Sequence, residues 1–335
     1  MQDFSRRKFI QSSVLAGISF SLLEDFSWSL PGTVGKRVGI IGLDTSHSIA
    51  FTKALNAAEP DPVFDGYRVV AAYPYGSREI ESSSKRIPGY IEDIKKMGVR
   101  ITASIQELLG QVDVVLLETN DGRLHLEQAR QVLKSGKRMF IDKPVAGSLS
   151  DAIKIYQEAD GFGIPVFSAS SLRYIKGIEE LDKGKVLGAD TFSPASLEKT
   201  HPDLFWYGIH GVETLFTVMG TGCQQVTRVQ TTDTELVVGV WENGRIGTFR
   251  GTRNGKHGYG GTVFTQDGNL VLGPYNGYEP LLKDIVHYFK TGVVPVTPAE
   301  TIEIFAFMEA ADESKRQGGR AITLESVIKK AKRES

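Results

Sequence analysis

The sequence has little of several features that mark whole classes of protein. It contains one cysteine in 335 residues, Cys223, which excludes an internal disulfide and any metal site built from several cysteines. Lysine and arginine number 39 against 40 aspartate and glutamate, and the net charge is −1. This balance gives no electrostatic case for binding nucleic acid or an anionic membrane. The apolar stretch at residues 14–23 is interrupted by Gly17 and serines, and it is too short for an ordinary membrane span.

What is present at the N-terminus resembles an export signal. Ser5, Arg6, Arg7 and Phe9 stand just ahead of the apolar stretch, as in twin-arginine signals. That route carries folded proteins, usually because a cofactor must be loaded before export. An amphipathic surface helix with a chance pair of arginines is the alternative. We therefore expect residues 1–34 to be a signal and linker, and the protein to be periplasmic or otherwise exported, with no membrane contact beyond export.

The pattern of apolar and polar residues differs between two parts of the chain. From residue 35 to about 168, six short apolar runs alternate with helical patterns, which predicts an α/β domain with a doubly wound parallel sheet of Rossmann type. From residue 169 to 335, longer β-rich runs precede the helices near the C-terminus. Asn243-Gly244 and Asp267-Gly268 are typical hairpin turns. We expect an α+β domain there, with a largely antiparallel sheet that is open on one face.

The first predicted strand leads into a turn that departs from the dinucleotide-binding pattern G-x-G-x-x-G. Gly42 takes the first glycine position, but Asp44 and His47 take the second and third. The N-terminus of the following helix can still hold a phosphate, with Thr45 and Ser46 adding hydroxyl donors. The Asp44 carboxylate opposes this, because it would repel a pyrophosphate; capping the helix is its alternative role.

The end of the second predicted strand bears on the choice of cofactor. NAD-specific domains usually have an acidic residue there for the ribose hydroxyls. Here Ser77 and Arg78 are the nearest candidates, and this pair suits a 2′-phosphate. The sequence therefore weakly favours NADP over NAD, while a solvated turn is an equally good interpretation.

The fifth predicted strand ends in "FIDKPVAGSLSDA", and with the layout above it resembles the Gfo/Idh/MocA oxidoreductase family. The family's Glu-Lys-Pro becomes Asp142, Lys143 and Pro144. "WYGIHGVETLFTVMG" is similar to the family's histidine-containing active-site helix and contributes His210. The resemblance extends over nearly all of the chain from Lys36 onward. It implies a nicotinamide cofactor, a small sugar-like substrate and a homo-oligomer, a dimer or tetramer that commonly forms through the open sheet face.

The same resemblance implies cofactor contacts after the fourth strand. Thr119, Asn120 and His125 occupy places similar to those in the family's Thr-Pro-Asn-x-x-His segment, which borders the cofactor, although "NDGR" departs from that pattern. Lys143 is expected to touch both cofactor and substrate.

Two side chains are the candidate catalytic groups. Lys143 follows a parallel strand at the edge where ligands bind, so its ammonium is placed to hydrogen-bond a substrate hydroxyl and relay its proton. His210 is the candidate general base, with Glu213 three residues later on the same helix face as its orienting partner. A surface lysine and a core histidine are the alternatives.

Several residues of the second domain are candidate substrate contacts. Beside Glu213 they are Arg173, Tyr174, His201, Trp206 and Tyr207. His257 is a weaker candidate. His201, Asp203 and Glu213 together suggest a metal site, but their spacing does not support one, so no metal is expected.

Three functions remain open from the sequence. The first is an NAD(P)-dependent oxidoreductase of a sugar or polyol derivative that retains its cofactor, because an exported enzyme meets little free nucleotide. The second is a glycosidase that oxidises a sugar transiently, eliminates the glycoside and returns the hydride. The third is a sugar-binding protein without catalysis, which the missing glycines favour and Lys143 with His210 disfavours.

Overall fold

The computed structural model of the chain describes residues 35–256 and 258–335. The predicted export signal at residues 1–34 and the candidate His257 lie outside these ranges. None of the described helices is both long enough and apolar enough to cross a membrane.

Six parallel strands form the first sheet, in the order β3-β2-β1-β4-β5-β6. This is the Rossmann order, in which the direction of winding reverses between β1 and β4, and it confirms the predicted fold. The strands are β1 (Arg37–Ile41), β2 (Arg68–Tyr73), β3 (Arg100–Ile101), β4 (Val114–Leu117), β5 (Met139–Asp142) and β6 (Val166–Ala169). The helices between them are α1 (Ser46–Leu55), α2 (Glu81–Lys96), α3 (Ile105–Leu109), α4 (His125–Lys134) and α5 (Leu149–Gly161).

Burial of the central strands explains their sequence. Every residue of β4, β5 and β6 is buried, because helices cover both faces of a parallel sheet. Helix α4 turns Ala129, Val132 and Leu133 toward the sheet at helical spacing. The carboxyl ends of these strands therefore form one edge, where polar side chains of the loops converge.

The second sheet has seven strands in the order β12-β11-β7-β10-β9-β8-β13, all antiparallel except the β7–β10 pair. They are β7 (Val186–Pro194), β8 (Cys223–Gln230), β9 (Thr234–Trp241), β10 (Ile246–Thr252), β11 (Gly260–Thr265), β12 (Gly268–Leu272) and β13 (Ile322–Thr323). The helices of this part are α6 (Ile209–Met219), α7 (Glu279–Thr291), α8 (Pro298–Arg316) and α9 (Leu324–Glu334).

One face of the second sheet carries the core and the other is open, as predicted. Burial alternates along β9, and α6 and α8 pack on the buried face. The register places large exposed apolar side chains together on the open face: Phe192, Val229, Ile246, Phe264 and Val271. Cys223 is buried against this core, as expected of a small apolar residue.

The sequence did not reveal three elements of this part. Strand β7 lies in the middle of the sheet, but Gly188, Asp190 and Pro194 interrupt its apolar pattern. Strand β13 has two residues, and the lysine-rich helix α9 has few apolar residues.

Candidate active site

A cavity of about 330 Å³ opens at the carboxyl ends of β1, β4 and β5. The first sheet's loops and α2 line one side, and residues after β6, before α6 and around β11–α7 line the other. The lining residues are Thr45, Ser46, His47, Ser82, Arg86, Asn120, Lys143, Ser171, Leu172, Trp206, Tyr207, His210, Tyr259, Tyr275 and Tyr278. This is where open α/β sheets bind ligands.

Gly42 makes the tight turn after β1 that the sequence predicts. Its φ is 93°, and a Cβ there would lie 2.5 Å from the main-chain nitrogen of Thr119. A side chain at this position is excluded twice, by backbone conformation and by the close approach of the β4 loop. Thr119 is fully buried behind Gly42 and does not line the cavity.

Asp44 does not point at the phosphate region, which corrects the expectation that it contacts or repels a cofactor. Its carboxylate is fully buried and accepts hydrogen bonds from the main-chain N–H groups of Ser77 (3.2 Å) and Asn120 (3.1 Å). It thus joins the loops after β1, β2 and β4. Burial raises the pKa of Asp44 to about 6. The residue that caps α1 is Thr45.

The N-terminus of α1 is instead surrounded by donors suited to an anion. Thr45 and Ser46 lie at the start of the helix, where the helix dipole is positive, and the Thr45 hydroxyl accepts from the main-chain N–H of His47 (3.5 Å). Ser82 and Arg86 approach from α2, and the Arg86 guanidinium hydrogen-bonds the main-chain oxygen of Asp44 (3.3 Å). No sequence motif indicated Arg86, because it lies 42 residues after Asp44, whose loop it faces.

Ser77 and Arg78, the residues predicted to contact the cofactor ribose, are not among the residues that line this cavity. Ser77 is buried, and its hydroxyl accepts from the main-chain N–H groups at the start of α2 (3.3 Å). Arg78 is exposed. The weak preference for NADP that they suggested stays a prediction.

Asn120 and His125 have different positions. Asn120 lines the cavity, and its amide donates to Ser83 Oγ (3.2 Å). His125 is fully buried, with Nε2 2.6 Å from the Thr119 carbonyl and Nδ1 3.0 Å from the Pro144 carbonyl. It fixes one loop against the other rather than facing the cavity, so it is not a direct cofactor contact.

Lys143 and His210 meet at the same cavity, as predicted from the sequence. His210 Nδ1 lies 2.7 Å from Ser170 Oγ, at the end of β6. Burial, and then the positive charge of Lys143, hold the pKa of His210 well below its usual range. A neutral imidazole whose Nδ1–H donates to Ser170 keeps a lone pair on Nε2, which is what a general base requires.

The local backbone positions His210. A π-helical turn, Leu204–Gly208, runs directly into α6 and presents Trp206 and Tyr207 to the cavity. Gly211 lets α6 lie against β10, since a Cβ there would be 2.3 Å from the Phe249 ring.

Glu213 is not the orienting partner of His210, which corrects the predicted pair. Its carboxylate accepts from Arg173 (2.9 Å), and Arg173 also pairs with Glu300. Arg173 and Glu213 are thus buried together, away from the cavity, and burial raises the pKa of Glu213 to about 7. Tyr174 donates to Asp284 and does not line the cavity either.

The suggested metal group of His201, Asp203 and Glu213 is not assembled. His201 lies behind the cavity wall, with Nε2 3.5 Å from Asp121 Oδ1, while Asp203 pairs with Arg228 (2.8 Å). His201 packs on Trp206, with ring centroids 5.3 Å apart, so it supports a substrate contact rather than being one.

Aromatic side chains form a continuous wall on the second-sheet side. Neighbouring ring centroids are 5.8 to 6.3 Å apart along the series Trp206, Tyr207, His210, Tyr259, Tyr275 and Tyr278. The sequence indicated only the first three, because the tyrosines come from separate loops. A wall of this kind, interrupted by hydroxyls, suits a ligand with apolar faces and polar edges.

His47 reaches this wall from the other side of the cavity. Its ring lies 4.6 Å from that of Tyr278, and its Nδ1 is 3.0 Å from Asp142 Oδ1. Glu118, the residue after β4, is fully buried beside this pair. Burial, and then the charge of Asp142, raise the pKa of Glu118 well above its usual range.

Comparisons with known proteins agree with this geometry. Residues 36–169 match the family model described as "Oxidoreductase family, NAD-binding Rossmann fold". These residues are therefore similar to the dinucleotide-binding domain of Gfo/Idh/MocA oxidoreductases. A comparison with curated proteins found no match.

Solved structures share the fold over most of the chain. A "probable dehydrogenase" from Thermotoga maritima is 20% identical, with a TM-score of 0.69 over 87% of this chain and 99% of that one. The scyllo-inositol dehydrogenase of Lactobacillus casei, solved with NAD(H) and scyllo-inositol, is 13% identical, with a TM-score of 0.67 over 86% and 99%. The myo-inositol dehydrogenase of the same organism, solved with NAD(H) and myo-inositol, is 16% identical, with a TM-score of 0.67 over 86% and 96%.

Proposed function

We propose that this protein oxidises a hydroxyl-bearing carbon of a sugar or polyol derivative to a carbonyl, or reduces that carbonyl, using a nicotinamide cofactor that it retains. One observation carries the proposal. Lys143 and His210, a proton donor and a proton acceptor, face a single cavity beside a phosphate-binding helix N-terminus and an aromatic wall. A pocket that only binds sugar has no need of such a pair at the cofactor edge of the sheet.

The residues present suit a dinucleotide despite the missing glycines. The Asp44 carboxylate is turned inward. The groups suited to the phosphates of a dinucleotide are the N-terminus of α1, the hydroxyls of Thr45, Ser46 and Ser82, and the Arg86 guanidinium. A bound nicotinamide supplies hydride transfer, and the chain's own residues supply the proton chemistry. His210 takes the substrate hydroxyl proton, and Lys143 polarises the same oxygen by a hydrogen bond.

The substrate class follows from the walls of the cavity. Trp206, Tyr207 and the three tyrosines offer ring faces for the C–H side of a sugar ring, and hydroxyls for its edges. Structures of similar fold are inositol dehydrogenases, which supports a polyhydroxylated ring.

Retention of the cofactor rests on the expected export signal. Outside the cytoplasm free nucleotide is scarce, so a cofactor that is loaded before export and regenerated in place fits that location. Because Ser77 and Arg78 do not face the cavity, the choice between NAD and NADP is left to measurement.

We also propose that a second copy of this chain covers the open sheet face. Five large apolar side chains share that face, which is unusual for a surface in contact with water. Replacing Phe192 by aspartate should convert a dimer or tetramer to monomers in sedimentation experiments. An unchanged oligomer would place the interface elsewhere.

The deciding experiment uses the full chain purified without added nucleotide. After denaturation, mass spectrometry should detect about one NAD(H) or NADP(H) per chain. Arg86→Met should reduce this content strongly, while the control Arg68→Met, at the exposed first position of β2, should not. Absence of nucleotide, with no binding of millimolar NAD or NADP, would contradict redox chemistry and leave a sugar-binding protein.

A second step separates the enzymatic possibilities. Sugars, polyols and aryl glycosides are offered to the loaded protein, and products are analysed. Net oxidation or reduction supports the oxidoreductase, whereas release of an aglycone without net redox change supports the transient-oxidation glycosidase. Turnover should be abolished in Lys143→Met and retained in Lys134→Met, a control on the exposed end of α4.

A further inference from the structure

His47, Glu118 and Asp142 bring three metal-binding groups together next to the cavity. His47 Nδ1 lies 3.0 Å from Asp142 Oδ1 and 3.9 Å from Glu118 Oε2. One atom from each residue falls within 4.8 Å of the other two. The three side chains come from the start of α1 and the ends of β4 and β5, which the Rossmann winding places side by side at its switch point.

Glu118 is the group that calls for an explanation. Neither of its carboxylate oxygens has a hydrogen-bond partner among the described residues, although the side chain is fully buried. Asp142 Oδ2 is equally without a partner. A buried carboxylate in this state is costly to the fold, and native proteins compensate such groups with a partner, a bound ion or ordered water.

The local charge points to a cation as the missing partner. Asp44, Glu118 and Asp142 are three fully buried carboxylates, and Lys143 is the lysine beside them. Three carboxyl groups and one ammonium group thus share a buried region, and the described residues offer no hydrogen-bond donor to either Glu118 oxygen. Among the described residues, the ion-pair partner within 4 Å of Glu118 and Asp142 is His47 and not Lys143.

We propose that His47, Glu118 and Asp142 bind a divalent transition-metal ion. One imidazole nitrogen with carboxylate oxygens suits Zn²⁺ or Mn²⁺ better than Mg²⁺ or Ca²⁺, which prefer oxygen ligands alone. Three protein ligands leave further coordination positions, as in metal sites that hold water or substrate. Because His47 lines the cavity, those positions lie near the proposed substrate.

The proposal gives a reason for the unusual turn after β1. A glycine at position 47 would let a helix pack closely on its strand, whereas His47 holds a nitrogen ligand toward two strand ends. Asp142 and Glu118 occupy those ends, so all three ligands sit on rigid elements rather than on free loops.

Metal analysis of the full chain tests the proposal without reference to any cofactor. Protein purified without chelators is analysed for metals, then stripped with EDTA and titrated with Zn²⁺ and Mn²⁺ by calorimetry. We expect about one ion per chain. Glu118→Gln should weaken binding at least about tenfold, as loss of a direct ligand must exceed the effect of losing an outer-shell partner.

A control is Glu303→Gln, a half-buried carboxylate that accepts from the main-chain N–H groups of Gly222 and Cys223 (2.7 Å). It should bind metal like the wild type. Far-ultraviolet circular dichroism checks that each variant folds, and should Glu118→Gln fail to fold, Asp142→Asn replaces it. No retained ion and no saturable binding at millimolar Zn²⁺ or Mn²⁺, or equal affinity in the ligand variant, would overturn the proposal and assign Glu118 a proton or water instead.

Discussion

Two clusters of buried charge differ in how completely they are paired. The first, called here the arginine cluster, is formed by Arg228, Asp203, Glu235 and Asp312 under the second sheet, and each carboxylate contacts the Arg228 guanidinium. The second, called the cleft cluster, is formed by His47, Glu118 and Asp142, and there neither Glu118 oxygen has a hydrogen-bond partner in the described ranges 35–256 and 258–335.

The difference indicates which cluster serves the fold and which serves the site. An ion cluster in which every carboxylate lies against a guanidinium fixes elements against each other, here β8 and β9 against α8. Incompletely paired groups beside a cavity keep interaction energy available for a ligand, and such groups concentrate at functional sites. Removing a partner should therefore harm stability in one cluster and binding in the other.

The largest effect is expected from Arg228→Met. The change leaves Glu235 and Asp312 buried with one guanidinium removed, which should lower the free energy of unfolding by about 3–5 kcal/mol. Urea denaturation measures it. The control Arg250→Met, at an exposed position of β10, should change stability by less than about 0.5 kcal/mol. A loss of similar size in both variants would contradict a special role of the cluster.

Most of the fold was predictable from local patterns. Alternation of apolar runs and helices predicts the first sheet, because parallel strands buried on both faces are almost continuously apolar. Strand β7 was not predictable in the same way. Gly188 and Asp190 break its apolar pattern, and it pairs with β10, whose residues lie far along the sequence, as in the pair Gly188 and Ile246.

The candidate site was likewise predictable only where a local motif marks its residues. Lys143 and His210 follow from motifs, and both face the cavity. Glu213 was wrongly paired with His210, because spacing on one helix cannot reveal Arg173, 40 residues away, which is its partner. No sequence motif indicated Glu118, because its significance lies in its lack of hydrogen-bond partners among the described residues, which only the structure shows.

The ion pairs around Arg173 are intermediate between the arginine cluster and the cleft cluster in how completely the carboxylates are paired, because Glu213 and Glu300 share one guanidinium. The folded pKa of Glu213, about 7, exceeds its ordinary value of 4.5 because of burial. Its contribution to stability is thus complete below about pH 4.5 and lost as the pH rises through 7. Relative to Glu213→Gln, the wild type should gain on the order of 2 kcal/mol of unfolding free energy between pH 8 and pH 5.

Parallel urea titrations at several pH values measure this difference. Glu127→Gln, at an exposed position of α4, is the control and should show no such divergence. A wild type and Glu213→Gln that respond identically to pH would show that Glu213 is ionised in the fold at all these values.

The smallest change in stability is expected at His47. Two substitutions of this residue distinguish its contribution to stability from its contribution to metal binding. His47→Leu removes the donor to Asp142 and should destabilise the metal-free protein by about 1–3 kcal/mol. His47→Asn places an amide nitrogen near the position of Nδ1, so it should recover most of that loss by donating to the same carboxylate. An amide nitrogen has no lone pair to offer a metal ion, and for this reason the asparagine variant should regain stability but not metal binding. Recovery of both would mean that the hydrogen bond alone accounts for His47, and recovery of neither would mean that the ring's packing against Tyr278 matters most.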